Sequence, residues 1–400
     1  MTTRPVMMIQ QGARRNYIYA QQLERAGLLH TLATDAAWTE GAFGLVTSLM
    51  RKFAPRRRVP LVAPGRIVSS AVPNALGLAK RVMHEERVFP LIEEGLALAL
   101  KVRGLRGAEV IVNYLGNGGS FLEFAKRRGA SIVTDFIITP RYLEIEDAER
   151  RGWPFWEPKL VSHATMRLYR RRMSHLVSLS DIYLCPSQAV ARDLATLDGF
   201  DPARVRLVPY GVSGVLLREP RTVEGRVLFA GAAGLRKGIP YLAEAARLLK
   251  QRAPGIVVTV AGEVSDAIRS RPETSALQFL GKLGREAMAD EMARADIFCL
   301  PSLAEGSATS IFEAMANGLP VVTTLSSGSV VADGVEGFIV AERDGAAIAD
   351  AVERIVGDRV LRDRMSQESR TTANRYNDEA CGERFISVVR EVIAARNGVV

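Results

Sequence analysis

Short apolar runs recur along this 400-residue chain, each closed by a small-residue turn and followed by a stretch of helical periodicity. Val6–Gln10 leads into Gln11-Gly12-Ala13-Arg14-Arg15-Asn16 and a helix from about Tyr17 to Ala26. The unit repeats at Val110–Asn113, with the turn Gly116-Asn117-Gly118-Gly119 and a helix through Arg128, and Ser131–Phe136 reads as the next strand. In the second half, Val227–Gly231 precedes the turn Ala232-Ala-Gly234-Leu-Arg236-Lys237-Gly238 and a helix from Ile239 to Lys250. Ile297–Leu300 then precedes a loop and a helix over Ser310–Ala316. Uninterrupted apolar strands alternating with helices predict an α/β chain of parallel, doubly wound sheets, with ligands meeting the carboxyl ends of the strands. A length of 400 exceeds one ordinary core, so two domains of about 200 residues are expected. We place them at 1–213 and 225–375, with a hinge near Gly211–Glu224; residues 36–90, with Pro55, Pro60, Pro64 and Pro73, read as irregular.

The loop Pro301-Ser-Leu-Ala-Glu305-Gly306-Ser307-Ala308-Thr309 carries the most chemistry. Its small residues let backbone approach a ligand closely, and the N–H groups at the start of the following helix favour an anion such as a diphosphate. Glu313, inside that helix, suits a diol such as ribose; Glu305 could serve a sugar in the same way. The alternative is that both are solvated glutamates, favoured near a helix start by its dipole. The earlier turn adds Arg236, a planar fork, and Lys237, a compact charge, the two ways of neutralising a diphosphate. Two such turns in one half point to a nucleotide-linked ligand.

From Val227 to Asp344 the chain resembles the donor-binding domain of retaining glycosyltransferases of family four, which have the GT-B architecture: two Rossmann-like domains facing across a cleft. The resemblance rests on Lys237-Gly238, on Glu305 and Glu313 enclosing seven residues, and on Glu313-Ala-Met-Ala-Asn-Gly318-Leu-Pro320-Val. It rests also on Gly328–Val340, and on Ser180–Ser187 and Val208–Val212 before the hinge. It implies transfer of a sugar from a UDP- or GDP-linked donor, with no further cofactor and no metal. Gly231, Arg236, Lys237, Gly306 and the N–H groups of Ser307, Ala308 and Thr309 would hold the donor diphosphate. Glu313 would meet ribose, Glu305 the transferred sugar, and the main chain of Lys282 and Leu283 the base. Gly12, Arg14, Arg15 and Asn16 occupy the place of the acceptor-side loop, although a plain strand–helix connection reads equally well. The last helix, Asp378–Arg396 within a tail of 378–400, would cross back to the first domain.

Two departures stand out. Many members carry Arg after the glycine matching Gly231, where this chain has Ala232, so Arg236 must substitute. Many also place His at the end of a middle strand of the first domain; here the strand Ser131–Phe136 has none, and Asp135 near its end is the candidate replacement or equally a helix or turn cap, while His163 and His175 fall in a basic helical stretch.

Charge sharpens the division. Residues 1–213 hold 30 Lys plus Arg against 19 Asp plus Glu, or +11, and the remainder holds 23 against 25, or −2. The basic runs are Arg51–Arg58, Lys126-Arg127-Arg128 and Arg167–Arg172. Such clusters suit an anionic membrane surface or a merely solvated face, and no nucleic-acid module accompanies them. Three dispersed cysteines, no apolar run of membrane-spanning length and no leader-like start fit a cytoplasmic chain, peripheral at most to the inner membrane face. A glycan or lipid-linked acceptor in cell-envelope synthesis is the expectation for the first half. Trp153 and Trp156 are candidates for stacking on an acceptor sugar or for packing. Two other classes compete: a catalytically silent sugar-nucleotide-binding protein, and a dinucleotide oxidoreductase, the latter lacking a full G-x-G-x-x-G with its ribose-binding acid.

Overall fold

The computed structural model describes residues 4–35, 37, 57–69, 85–157, 160–212 and 214–398. Most of the irregular stretch expected at 36–90, and the basic run as far as Arg56, lie outside the described residues.

Two parallel sheets form, both wound in two directions. The first contains β1 (Val6–Ile9), β2 (Leu29–Thr34), β3 (Ile67–Ser69), β4 (Val110–Tyr114), β5 (Ser131–Asp135), β6 (Ile182–Cys185) and β7 (Val205–Leu207). Their order is β3-β2-β1-β4-β5-β6-β7. The second contains β8 (Arg226–Ala230), β9 (Val257–Ala261), β10 (Leu277–Gly281), β11 (Ile297–Leu300), β12 (Val321–Thr323) and β13 (Gly337–Ile339), in the order β10-β9-β8-β11-β12-β13. Helices cover both faces, which is why β1 and β11 are apolar and fully buried at every position. The winding reverses between β1 and β4 in one sheet and between β8 and β11 in the other, and a crevice opens at the carboxyl ends of such pairs. All four turns singled out in the sequence follow those four strands.

The chain crosses between the sheets twice, side by side. Val212 bridges to Asn377, and Val212 N–H donates to the Tyr376 carbonyl at 2.8 Å. The helix Asp378–Arg396 then lies on the first sheet, where Cys381, Phe385 and Val389 are fully buried and Phe385 stacks on Tyr19 at 4.0 Å.

An arm also passes the other way. After β5 the helix Tyr142–Gly152 and the loop to Glu157 lie against the second half. Trp156, 2% exposed, belongs to the core around the second sheet, and Trp153 Nε1 donates to the Tyr241 hydroxyl at 3.2 Å. Both tryptophans therefore pack rather than stand open to a sugar. Their area, buried against the helix Ile239–Arg252, seats the arm.

Candidate functional site

The two turns of the second half are joined to one another. Leu303 N–H donates to the Arg236 carbonyl at 2.9 Å, and Arg236 Nη1 donates to the Ala304 carbonyl at 2.5 Å. Gly238 sits so close to Pro301 that a Cβ there would lie 2.1 Å from its carbonyl oxygen, and its φ of +74° is in the left-handed region. These contacts bring Arg236 and Lys237 to Glu305: Arg236 Nη1 lies 2.7 Å and Lys237 Nζ 2.6 Å from the same Glu305 oxygen. Gly231 closes β8 beside them, with Lys237 Nζ 3.8 Å from where its Cβ would be.

The helix Thr309–Ala316 opens with Ala308 in the extended region and no side-chain cap, leaving first-turn N–H groups such as that of Thr309 without a helical partner. Ser307 Oγ is buried with no hydrogen-bond partner, a condition that calls for one. Ala308 departs from expectation: its N–H donates to the Ser327 carbonyl at 3.1 Å, because the turn at 325–328 folds over the loop, so it is committed to the protein. Glu313 follows one turn into the helix, half-buried, and burial raises its carboxyl above the usual range.

Glu313 lines a cavity of about 540 Å³ with Leu283, Gly284, Arg285, the crossing residues 214–216 and, from the first half, Asn16. Lys282 is exposed and is not among the lining residues. Asn16 reaches the cavity on an unusual turn, in which Arg15, Asn16 and Tyr17 all have left-handed φ, from 46° to 59°. Non-glycine residues resist that region, at about 1–2 kcal/mol each, so the helix starts at Ile18, one residue later than its periodicity suggests. Surrounding bonds hold the turn: Gln10 Nε2 donates to the Gly12 and Arg14 carbonyls, Gly12 N–H donates to Asp35, and Gln21 Nε2 donates to the Asn16 carbonyl. Arg15 points inward, against its assignment to a ligand-facing loop. It stacks on Tyr210 at 4.3 Å and binds Asp378 at 3.0 Å and Cys381 Sγ at 3.2 Å, so its charge is spent on the returning helix. Arg14 remains exposed.

Asp135 ends β5 at 1% exposure, accepting a hydrogen bond from the Tyr210 hydroxyl at 3.3 Å. Burial pushes its carboxyl up to about 7, partly offset by Arg15, Arg14 and that hydrogen bond. Two residues on, the halves meet: a Cβ on Gly306 would lie 1.9 Å from the Ile137 carbonyl oxygen, so only glycine permits this approach. Asp135 thus ends the strand that touches the loop of Glu305. Neither histidine of the basic helix enters the site; His163 and His175 lie on His163–Leu179, and His175 pairs with Glu123.

The arm supplies what sequence reasoning missed. Glu146 lies 3.4 Å from Arg236 and is itself held by Arg150 at 3.1 Å. Arg150 also meets Glu157, which accepts the Leu235 N–H at 2.8 Å inside the turn after β8. Glu149, 3% exposed, accepts from Tyr241 Oη at 2.7 Å and from Arg343 Nε at 2.6 Å. The available signal was one-turn spacing: Glu146, Glu149 and Arg150 share a helix face.

A model of the family described as glycosyl transferases group 1 matches residues 224–358, the segment holding the turns after β8 and β11, the cation pair and Glu313. Over 253 residues the chain is 28% identical to glycogen synthase of Mycobacterium tuberculosis, covering 60% of each protein. Residues 224–358 are thus similar to the group 1 glycosyl transferases. Its fold is GT-B. Sucrose-phosphate synthase from Thermosynechococcus elongatus superposes with a TM-score of 0.65 at 17% identity, over 98% of this chain and 100% of that one. Anabaena Alr3699/HepE in complex with UDP-glucose does so at 0.59 and 15%, over 96% and 99%. The chain spans three-fifths of the length of the curated glycogen synthase it matches, while the structural likeness extends over both halves.

Proposed function

We propose that the protein is a retaining glycosyltransferase that takes a sugar from a nucleotide-sugar donor. The observation that carries the reading is the convergence of Asn16, Leu283 and Glu313 on one cavity, one helical turn from a loop whose Glu305 meets Arg236 and Lys237. In this reading the nucleoside occupies the cavity, Glu313 accepts the ribose hydroxyls, and the main chain at Leu283 borders the base. The diphosphate lies toward Arg236, Lys237, Ser307 and the Thr309 N–H, and the sugar faces Glu305 and the end of β5.

Transfer proceeds through an oxocarbenium-like state, and charge accumulates on the departing diphosphate. Fixed cations and helix-end N–H groups stabilise that charge without reorganising, the largest contribution in most such sites. Glu305 positions the sugar and faces its developing positive charge. The Ile137–Gly306 contact shuts water from the reacting centre when the halves meet, limiting donor hydrolysis.

The Alr3699/HepE structure holds UDP-glucose, which supports a UDP-linked donor here. Basic surface in the first half supports a lipid-linked or polysaccharide acceptor in cell-envelope synthesis and a peripheral position on an anionic membrane. Much of that surface is paired: Lys126 to Asp181, Arg127 to Glu123, Arg170 to Glu144 and Arg172 to Glu93. Arg167 and Arg171 stay exposed beside Leu168, which is 66% exposed, and form the part suited to headgroups. No helix among the described residues is long and apolar enough to cross a membrane.

Thermal melts with UDP-, GDP- and ADP-sugars test the donor reading, since a ligand of the folded state raises the melting temperature. One nucleotide series should raise it and support transfer of a radiolabelled sugar; a protein that responds to none is not this enzyme. Sedimentation with phosphatidylglycerol vesicles at low salt tests the membrane reading, which absence of binding overturns.

A further inference from the structure

The cations assigned to the diphosphate are already satisfied by carboxylates of the protein. Glu305 accepts from both Arg236 and Lys237 through one oxygen, at 2.7 and 2.6 Å. Glu146 takes the remaining side of Arg236 at 3.4 Å, and Arg150 links Glu146 to Glu157. Three cations and three carboxylates make this cluster neutral. Its side chains are between 13% and 27% exposed, so water screens it weakly. A diphosphate added beside Glu305 would bring at least two further negative charges into a neutral, poorly solvated cluster, and like charges so placed repel.

We propose that Glu305 is an internal competitor for the diphosphate, and that donor binding is an exchange of anions on Arg236 and Lys237. The inference rests on the nucleotide-sugar reading above and adds a second role to Glu305. In the free protein its carboxylate occupies the cations and keeps them apart from stray anions. An arriving diphosphate takes both cations, and the released carboxylate turns to the sugar, so the sugar side is completed only when a donor is present. After transfer the same carboxylate returns and helps expel the nucleoside diphosphate. Glu146 stays behind as the positioning group, because Arg150 and the tryptophan-seated arm fix it.

The geometry makes a counterintuitive demand. Removing a carboxylate from a residue that faces the sugar should tighten, not weaken, the binding of the sugar-free nucleotide. Titration calorimetry of UDP, GDP and ADP into wild type, Glu305→Gln and Glu305→Ala tests it, with far-UV melts to establish that each variant is folded. We expect the preferred nucleotide to bind both variants about tenfold more tightly than wild type, its dissociation in stopped flow to slow by a similar factor, and sugar transfer to collapse. Glu313→Gln is the contrast and should weaken the same nucleotide. Variants that bind the nucleotide with wild-type affinity, or less, overturn the exchange. A wild-type protein that binds none of UDP, GDP and ADP instead defeats the donor reading, a separate failure that the calorimetry distinguishes.

Discussion

The two halves share one architecture and treat their switch-point turns in opposite ways. In the second half, the turns after β8 and β11 are built from small residues and cations that neighbouring carboxylates neutralise. In the first, the turn after β1 is built from strain: three successive non-glycine residues sit in the left-handed region, held by side chains that point away from the cleft. A phosphate-binding turn needs exposed N–H groups and charge that can be released, whereas a turn that delivers one residue to another domain's cavity needs rigidity. Sequence motifs record the former directly. The latter depends on partners as distant as Asp378, and no local pattern announces it.

The largest effect that would break this contrast is mechanical. If the arm truly seats the donor turns, Trp156→Ala opens a hole in the second core and costs about 3–5 kcal/mol. It should also raise the donor KM, because Glu146 and Glu157 lose their footing on Arg236 and the Leu235 N–H. Denaturant melts and initial rates measure the two; a normal KM in a destabilised variant would detach the arm from the site.

A comparable effect separates structure from chemistry at Asp135. Its carboxyl, raised by burial from an ordinary value near 3.8 to about 7, binds its proton more readily in the folded chain than in the unfolded one. Stability from this group is therefore complete below about pH 4 and is lost as pH rises to about 7, by up to about 4 kcal/mol at full linkage. Asp135→Asn removes the dependence. The melting-temperature difference, variant minus wild type, should grow from pH 4 to pH 7 and then level. A pH-independent difference would show that the carboxyl is ionised throughout.

Much of the fold was legible because α/β winding writes itself as buried strand, turn and amphipathic helix. β1, β5, β8 and β11 end within a residue of where their apolar runs stop. In the candidate site, the cations and Glu305 could be singled out because each sits within a few residues of a strand end, and Glu313 because it stands in the helix that the second turn opens. The arm was not. The acidic and aromatic stretch Glu144–Glu157 carries no pattern that names its neighbours, and its burial depends on Tyr241 and Arg343 in the other half. Arg15 was misread for the same reason: an arginine in a glycine loop looks free until the helix returning from residue 378 covers it.

Lys237→Ala follows in size. Loss of a fixed charge at a site of developing negative charge should reduce kcat/KM by about 10²–10³. Nucleotide affinity should fall as well, since Lys237 would hold the diphosphate in ground and transition states alike. A variant with normal nucleotide affinity would move the diphosphate off this turn.

Arg15→Ala probes the first half's strategy and should act more weakly. Without the bonds to Asp378 and Cys381, the left-handed turn relaxes and Asn16 leaves the cavity, at a stability cost of about 1–3 kcal/mol. The nucleotide should bind severalfold less tightly, with unchanged dependence on salt, because the guanidinium meets the protein and not the phosphate. A marked loss of salt dependence would return Arg15 to the ligand.

The smallest effect is the sharpest comparison. Ala232 is exposed on the turn after β8, one position beyond Gly231, where the family resemblance leads one to expect a second cation. Arg236 already stands against Glu305 alongside Lys237, so the pair is complete without it. Ala232→Arg then adds a third charge at the rim, where solvent screening leaves about 0–1 kcal/mol. Calorimetry should find nucleotide affinity improved by less than tenfold and kcat little changed. A gain of a hundredfold would mean that Arg236, tied to Glu146 and to the Ala304 carbonyl, is too constrained to reach the diphosphate. The turn would then be a weakened donor site, with Lys237 bearing the charge that the expected pair would share.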